Sequence, residues 1–312
     1  MKRFRVVFMG TPEFAVPCLA ALADCCEVIG VVTQPDRPRG RGQKLRPSPV
    51  KAWAEARGLT VYQPEKVKTE EFTAVLEKME PELIIVVAFG QILSQRILDI
   101  PSYGCINVHA SLLPRYRGAA PMQWCLINGE RKTGVTTMFM DAGLDTGDML
   151  LKSETELSEN TNLAELHDTL MEQGASLLRE TLERLSEGTL PREKQDPSLS
   201  NYAPMLTKDT GKIDWSNSAT DIHNLVRGLD SWPGAYTFLN GEKYKIWRTR
   251  MTSETSSAAP GELLLADAKG LFAATGRGVL QVLELQAPGG KRMGAGDYLR
   301  GHAIELPARF GD

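Results

Sequence analysis

Gly104-Cys105-Ile106-Asn107-Val108-His109-Ala110-Ser111-Leu112-Leu113-Pro114-Arg115-Tyr116-Arg117-Gly118 begins as an apolar strand and breaks at Ser111 and Pro114. Strand alternation puts Cys105, Asn107 and His109 on one face, and Ile106 and Val108 on the other. An amide and an imidazole side by side in an otherwise apolar strand are costly unless they find hydrogen-bond partners. Two readings fit. Both side chains are satisfied core groups, or they stand at the carboxyl end of a parallel strand, where open sheets bind ligands. There a neutral amide donor and a titratable imidazole can act together on a carbonyl carbon.

Working outward, the neighbouring segments build an α/β domain. Phe4–Met9 reads as a first strand ending at Gly10-Thr11-Pro12, with Thr11 as cap and Pro12 at the first position of a helix running to about Ala23. Val28–Thr33 is the second strand. This opening is a Rossmann-like βαβ unit, but it lacks G-x-G-x-x-G and gives no support to a dinucleotide site. Glu82–Ala88 is the most apolar run, as in a central parallel strand buried on both faces. It ends in Phe89-Gly90-Gln91-Ile92, where glycine is either a plain turn or a point of close approach to a ligand. Gly134–Met140 is a further strand. It leads into Gly143-Leu144-Asp145-Thr146-Gly147-Asp148, whose two carboxylates are turn-formers or the partners of an imidazole. Leu163–Leu185 is a long amphipathic helix that would pack on the sheet, and His167 on it is structural.

Gln34–Pro49 interrupts the alternation. With four prolines and five basic residues it is expected to be neither helix nor strand, and it is long for a connection inside a compact domain. From Arg37 to Lys51 there are six basic residues and no acidic one, against a net charge of −3 for all 312 residues. The stretch is either a solvated loop or an anion-reading one, since arginine forks suit phosphate.

The 42% hydrophobic and 24% charged composition is that of a globular chain. No apolar run reaches the ~20 residues of a membrane span, and the four-residue apolar run after Lys2-Arg3 is too short for a signal peptide. Five cysteines without a CxxC pair read as reduced thiols of a cytoplasmic protein, with no metal site. The length allows two domains: residues 1–189 as the α/β domain, 190–206 as a polar, proline-bearing linker, and 207–312 as a second domain. In the last, Ala235–Leu239, Tyr244–Thr249, Gly261–Leu265, Leu271–Thr275 and Val279–Leu285 predict a small OB-like β-barrel, a fold often used on nucleic acid. Lys243–Arg250 interleaves aromatic and basic residues. The bases, Lys245 and Arg248 among them, either line an RNA-contacting face or simply sit outside a core of aromatics.

Asn-x-His, then Ser-Leu-Leu-Pro, then Gly-Leu-Asp-Thr-Gly-Asp resembles the folate-dependent formyltransferase family, and the likeness runs from Met1 to about Ala303. The resemblance implies formyl transfer from 10-formyltetrahydrofolate, without a metal. The branch it matches acts on the amino group of methionine carried by initiator tRNA, for translation initiation, as a monomer. It also implies site residues. Asn107, His109 and Asp145, not Asp148, would be catalytic. Phe89-Gly90-Gln91-Ile92 and Ser111-Leu112-Leu113-Pro114 would hold folate. Arg37, Arg39, Arg41, Lys44 and Arg46 would meet the acceptor end of the tRNA, with Arg41 central.

Four rivals remain. A formyltransferase acting on an amino-sugar nucleotide would share the catalytic and C-terminal regions, but gives little reason for six clustered bases. A glycinamide ribonucleotide formyltransferase would leave residues 206–312 unexplained. A non-catalytic RNA-binding protein would not need Asn107, His109 and Asp145 together, and a dinucleotide oxidoreductase would need the missing glycine fingerprint.

Overall fold

The computed structural model describes residues 2–39 and 44–311. The chain forms two compact units: Met1–Gly118 with Thr133–Thr155 and His167–Tyr202, and Ala119–Lys132 with Glu156–Leu166 and Ala203–Asp312. Two segments from within residues 1–189, at 119–132 and 156–166, thus cluster with the C-terminal part of the chain.

The first unit is built on a seven-stranded sheet. Its early strands are β1 (Arg5–Gly10) and β2 (Glu27–Val32), followed by a separate two-stranded ribbon of β3 (Arg37–Arg39) and β4 (Lys44–Arg46). The sheet continues with β5 (Val61–Tyr62), β6 (Leu83–Val87) and β7 (Cys105–His109). After a two-residue strand, β8 (Arg117–Gly118), it ends with β9 (Lys132–Phe139) and β10 (Met149–Glu156). The order is β10-β9-β7-β6-β1-β2-β5, with β5, β2, β1, β6 and β7 parallel and β9 antiparallel to β7. This is the Rossmann-like, mostly parallel sheet read from the sequence. β6 is buried at all five positions, which is why it is an unbroken Leu-Ile-Ile-Val-Val run. Cys105 packs with Val7, Ile84, Phe89 and Ile97 in one cluster. Val108, on the opposite face of β7, lies against Gly174, where an added Cβ would come within 3.2 Å of it.

Two local expectations are corrected. The first helix does not start at Pro12 under a Thr11 cap. A 3-10 turn spans Glu13–Ala15 and α1 runs Val16–Cys25. Pro17 lacks an amide hydrogen and fits only the first turn of a helix, so it sets the start at Val16. Thr11 instead donates its hydroxyl to the Phe89 carbonyl at 3.2 Å. The stretch expected to be neither helix nor strand contains the antiparallel β3–β4 ribbon, pairing Arg37 with Arg46, Pro38 with Leu45 and Arg39 with Lys44. A proline is tolerated because every strand of a two-stranded ribbon is an edge.

Beyond the two-residue strand β11 (Tyr202–Ala203), the second unit contains five longer strands: β12 (Ala235–Leu239), β13 (Glu242–Met251), β14 (Leu263–Asp267), β15 (Gly270–Ala274) and β16 (Val279–Gln286). They form an antiparallel path β12-β13-β16-β15-β14. The two edge strands are joined by the chain end. Leu263 donates to the Ala308 carbonyl, Phe310 to Gly261 and Gly311 to Phe238, all at 2.8–2.9 Å. These strands lie where the sequence reading put those of an OB-like barrel, and they enclose a core that includes Trp215, Tyr244, Ile246, Leu280 and Phe310.

Candidate active site

Parallel pairing of β6 with β7, with Val86 opposite Asn107, brings their carboxyl ends side by side. The loops that follow, Ala88–Ile92 and Ala110–Pro114, are therefore neighbours. The antiparallel pairing of β7 with β9 adds a third connection, the turn from Met140 to Asp148 that follows β9.

That turn is shaped by its own side chains. Asp141 Oδ1 accepts from the Gly143 amide at 3.0 Å and from the Thr146 hydroxyl at 2.6 Å, the short-range closure that makes aspartate a turn residue. Gly147 lies so close to the Phe139 carbonyl that an added Cβ would be 1.8 Å from its oxygen. Asp145 has φ +54°, the left-handed region that Asp visits more readily than most residues. This conformation aims its carboxylate at the end of β7. Asp145 Oδ2 accepts from the Gly118 amide at 2.9 Å and lies 3.7 Å from His109 Nδ1. Asp145 Oδ1 is 3.4 Å from Asn107 Nδ2. Asp148 points elsewhere, pairing with Arg192 at 2.5 Å.

His109 is 6% exposed and its Nε2 is 2.9 Å from the Tyr116 carbonyl. A carbonyl only accepts, so Nε2 carries a hydrogen, and the other ring nitrogen, Nδ1, faces Asp145. Asn107 is half-buried and has two amide hydrogens, of which one is directed at Asp145. The structure thus brings Asn107, His109 and Asp145 together.

The proposed folate segments divide by what already holds them. Ser111 donates to the Arg115 carbonyl at 2.7 Å, and Leu113 is buried with Met138 and Met149. Thr136 Oγ1 donates to the Ser111 carbonyl at 2.7 Å and accepts from the Leu113 amide at 3.1 Å. Leu112 and Pro114 are half-buried. In the neighbouring loop the Phe89 carbonyl accepts from Thr11 and from Gln34 Nε2, and Gln91 Oε1 accepts from the Val67 amide at 2.7 Å. Phe89 and Gln91 therefore shape the loop. Gly90, at φ +83°, and Ile92, 79% exposed, are what it presents outward.

Among the basic residues, Arg37 and Arg46 are exposed on the ribbon, and only the backbone of Arg39 and Lys44 is described. Arg41 lies outside the described residues. In the second unit a register shift in β13 around Arg248 changes the alternation. Lys243, Lys245 and Trp247 stay out of the core before it, and Arg248 and Arg250 after it. Lys245 Nζ lies 5.1 Å from the Trp247 ring and 3.4 Å from the Pro233 carbonyl, and Arg248 pairs with Glu284 at 3.1 Å.

Sequence reading missed the residues that hold the Asp145 turn from behind. Gln195, inside the expected linker, donates to the carbonyls of Asp145 and Gly147, both at 2.8 Å. Its Oε1 accepts from Arg117 Nε and Nη2 at 3.0 and 2.8 Å. Asn201 Oδ1 accepts from the Tyr116 amide at 2.5 Å. A polar residue in a proline-bearing stretch carries no periodic signal, so nothing local marks these two.

An amide, an imidazole and a carboxylate thus converge at one end of a Rossmann-like sheet. Residues 2–182 match the formyl transferase family and residues 205–303 the formyl transferase C-terminal domain, and the chain belongs to that family. Methionyl-tRNA formyltransferase of Citrifermentans bemidjiense is 54% identical over 306 residues, covering 98% of this chain and 96% of that protein. The enzyme of the same name from Geobacter sulfurreducens is 52% identical, covering 100% and 98%. An N-formyltransferase of Helicobacter canadensis, solved with folinic acid and dTDP-3-aminofucose, shares the fold at 18% identity and a TM-score of 0.66, over 89% of this chain and 99% of that one. HypX of Aquifex aeolicus in complex with tetrahydrofolic acid does so at 17% and 0.63, over 96% of this chain and 48% of that one. The present chain thus spans about half the length of HypX.

Proposed function

We propose that this protein transfers the formyl group of 10-formyltetrahydrofolate to the free amino group of methionyl-initiator-tRNA. The observation that carries the reading is the convergence of Asn107 and His109 on Asp145 at the end of β7, in a chain more than half identical to curated methionyl-tRNA formyltransferases.

In the proposed reaction the amine lone pair attacks the formyl carbon and the carbonyl electron pair moves to oxygen. The second Nδ2 hydrogen of Asn107 meets that oxyanion. His109, protonated at Nδ1, adds a charge-assisted bond and is held by Asp145. Collapse re-forms the carbonyl and expels the folate nitrogen, which leaves with a proton, while the attacking amine gives one up. The products are the formamide and tetrahydrofolate. Asp145, close to Nδ1, relays these protons through water. Gly90, Ile92, Leu112 and Pro114 present the surface on which folate would rest.

The ribbon with Arg37, Arg39, Arg41, Lys44 and Arg46 is the proposed contact with the acceptor end, and Lys245 and Arg248 contribute from an OB-like second domain. All five cysteines are free thiols, which suits a cytoplasmic enzyme. We take it to act as a monomer. No helix among the described residues is long and apolar enough to cross a membrane. The test is formylation of charged initiator tRNA by the purified protein. Formylation of an amino-sugar nucleotide in its place would replace the substrate and keep the chemistry.

A further inference from the structure

Two of the five thiols are neighbours both in the chain and in space. Cys25 is the last residue of α1 and Cys26 follows it, with their Sγ atoms 3.8 Å apart. β2 begins at Glu27, so the pair stands at the amino ends of the parallel strands. Asn107 and His109 lie towards the carboxyl end of β7, and the proposed chemistry leaves both cysteines unused.

A third group fixes which thiol donates to which. Cys25 donates its hydrogen to the Ala21 carbonyl, 3.1 Å away. In the contact between the two sulfurs Cys26 is therefore the donor. A thiolate on Cys25 keeps that bond, whereas a thiolate on Cys26 loses it. Arg179, on the long helix Leu163–Glu187, pairs with the adjacent Asp24 at 3.3 Å and brings positive charge to the same corner. The hydrogen bond from Cys26, first, and the Arg179 charge outweigh burial and Asp24, and they hold the Cys25 pKa down at about 7. The same bond, together with burial, pushes that of Cys26 up.

Access separates the two sulfurs as well. Cys25 is half-buried and Cys26 is buried. The other three thiols, Cys18, Cys105 and Cys125, are buried, and burial pushes the first two up to about 12. An accessible sulfur that ionises near neutral pH, in contact with a second thiol that keeps its proton, is where oxidation is selective and a resolving partner is at hand.

We propose that Cys25 and Cys26 form a peroxide-modified dithiol, in which Cys25 is oxidised first and Cys26 resolves it to a disulfide. The Cys25 thiolate attacks one oxygen of hydrogen peroxide and the O–O bond breaks. A sulfenic acid forms, and the hydroxide released takes up the proton that Cys25 gave. The Cys26 sulfur then attacks the Cys25 sulfur. The S–S bond forms as the S–O bond breaks, and the departing hydroxide leaves as water with the Cys26 proton. The two thiols lose two electrons in all, and the peroxide ends as two waters. Neighbouring Cα atoms are about 3.8 Å apart, short of the roughly 4.4–6.8 Å of most disulfides, so the product is strained and readily reduced.

The test treats full-length protein with hydrogen peroxide at neutral pH in the presence of dimedone, which traps sulfenic acids. Remaining thiols are blocked with N-ethylmaleimide, and the chain is weighed whole and mapped by mass spectrometry. In wild type, Cys25 and Cys26 should lose alkylation together, about tenfold faster than Cys18, Cys105 or Cys125 reacts. The whole-chain mass should fall by two hydrogens, and dithiothreitol should restore it. Cys26→Ser should accumulate the dimedone adduct on Cys25, and Cys25→Ser should slow oxidation of Cys26 by about tenfold or more. Wild-type Cys25 carrying dimedone while Cys26 is still alkylated would overturn the proposal. So would a disulfide between two chains, oxidation of the buried thiols at the rate of Cys25, or no reaction at all. The wild-type map decides each of these, so a variant that failed to fold would leave the test standing.

Discussion

His109 Nδ1 stands 3.7 Å from Asp145 Oδ2, beyond direct hydrogen-bond distance but within reach of a charge interaction or one bridging water. The same oxygen is anchored by the Gly118 amide, which fixes the carboxylate beside the imidazole. Replacing Asp145 by Asn keeps the shape and removes the charge. Turnover is expected to fall by about 100-fold or more, the scale of a lost acid–base contribution, with folate affinity unchanged. Single-turnover kinetics beside folate titration would check it.

Asn107→Ala and His109→Ala should each fold normally and lose about 100- to 1,000-fold in turnover, as when one oxyanion donor is removed. Circular dichroism and steady-state rates on one preparation decide this. A variant of either kind with near-wild-type turnover would remove that residue from the chemistry.

Gln195 touches no reacting atom in this account; it is a positioning residue, binding the carbonyls of Asp145 and Gly147 and receiving Arg117. Gln195→Ala should lower kcat by about tenfold with little change in KM for either substrate, because a 1 Å displacement of a catalytic group can cost about 100-fold. Gln195→Glu keeps the acceptor for Arg117 and loses both donated bonds, so it should not rescue. An equal fall in stability and rate for both variants would reduce the role to packing.

His223 in the second unit is buried and neutral, its ring nitrogens 2.8 Å from Thr249 Oγ1 and 3.0 Å from the Glu159 carbonyl. Burial, with the Arg227 charge adding to it, holds its pKa below the usual 6.5. The unfolded chain therefore binds the proton more readily. The contribution of His223 to stability is complete above pH 6.5 and is lost as pH falls below it. Urea midpoints measured from pH 8 to pH 5 should drop, and His223→Gln should flatten part of that slope.

Much of this was legible in the residues. The Leu83–Val87 run, β7 and the five strands of the second unit have strong periodicity or unbroken apolarity. The ribbon at Arg37–Arg46 was hidden because proline argues against strands, a rule that edges escape. The start of α1 was misplaced because Thr11-Pro12 looks like a cap while Pro17 sets the first turn. Asn107, His109 and Asp145 could be gathered only through a family likeness, since alternation places Asn107 beside His109 but says nothing of a turn 38 residues further on. Gln195 and Asn201 were out of reach, because their partners are backbone atoms far along the chain.

The central claim is tested most directly by incubating the protein with 10-formyltetrahydrofolate and charged initiator methionyl-tRNA, beside Asn107→Ala and Arg41→Ala. The account predicts N-formylmethionyl-tRNA from wild type, almost none from Asn107→Ala, and a sharp reduction from Arg41→Ala with folate binding retained. Wild-type protein that binds folate but leaves methionyl-tRNA unformylated, while formylating an amino-sugar nucleotide, would contradict it.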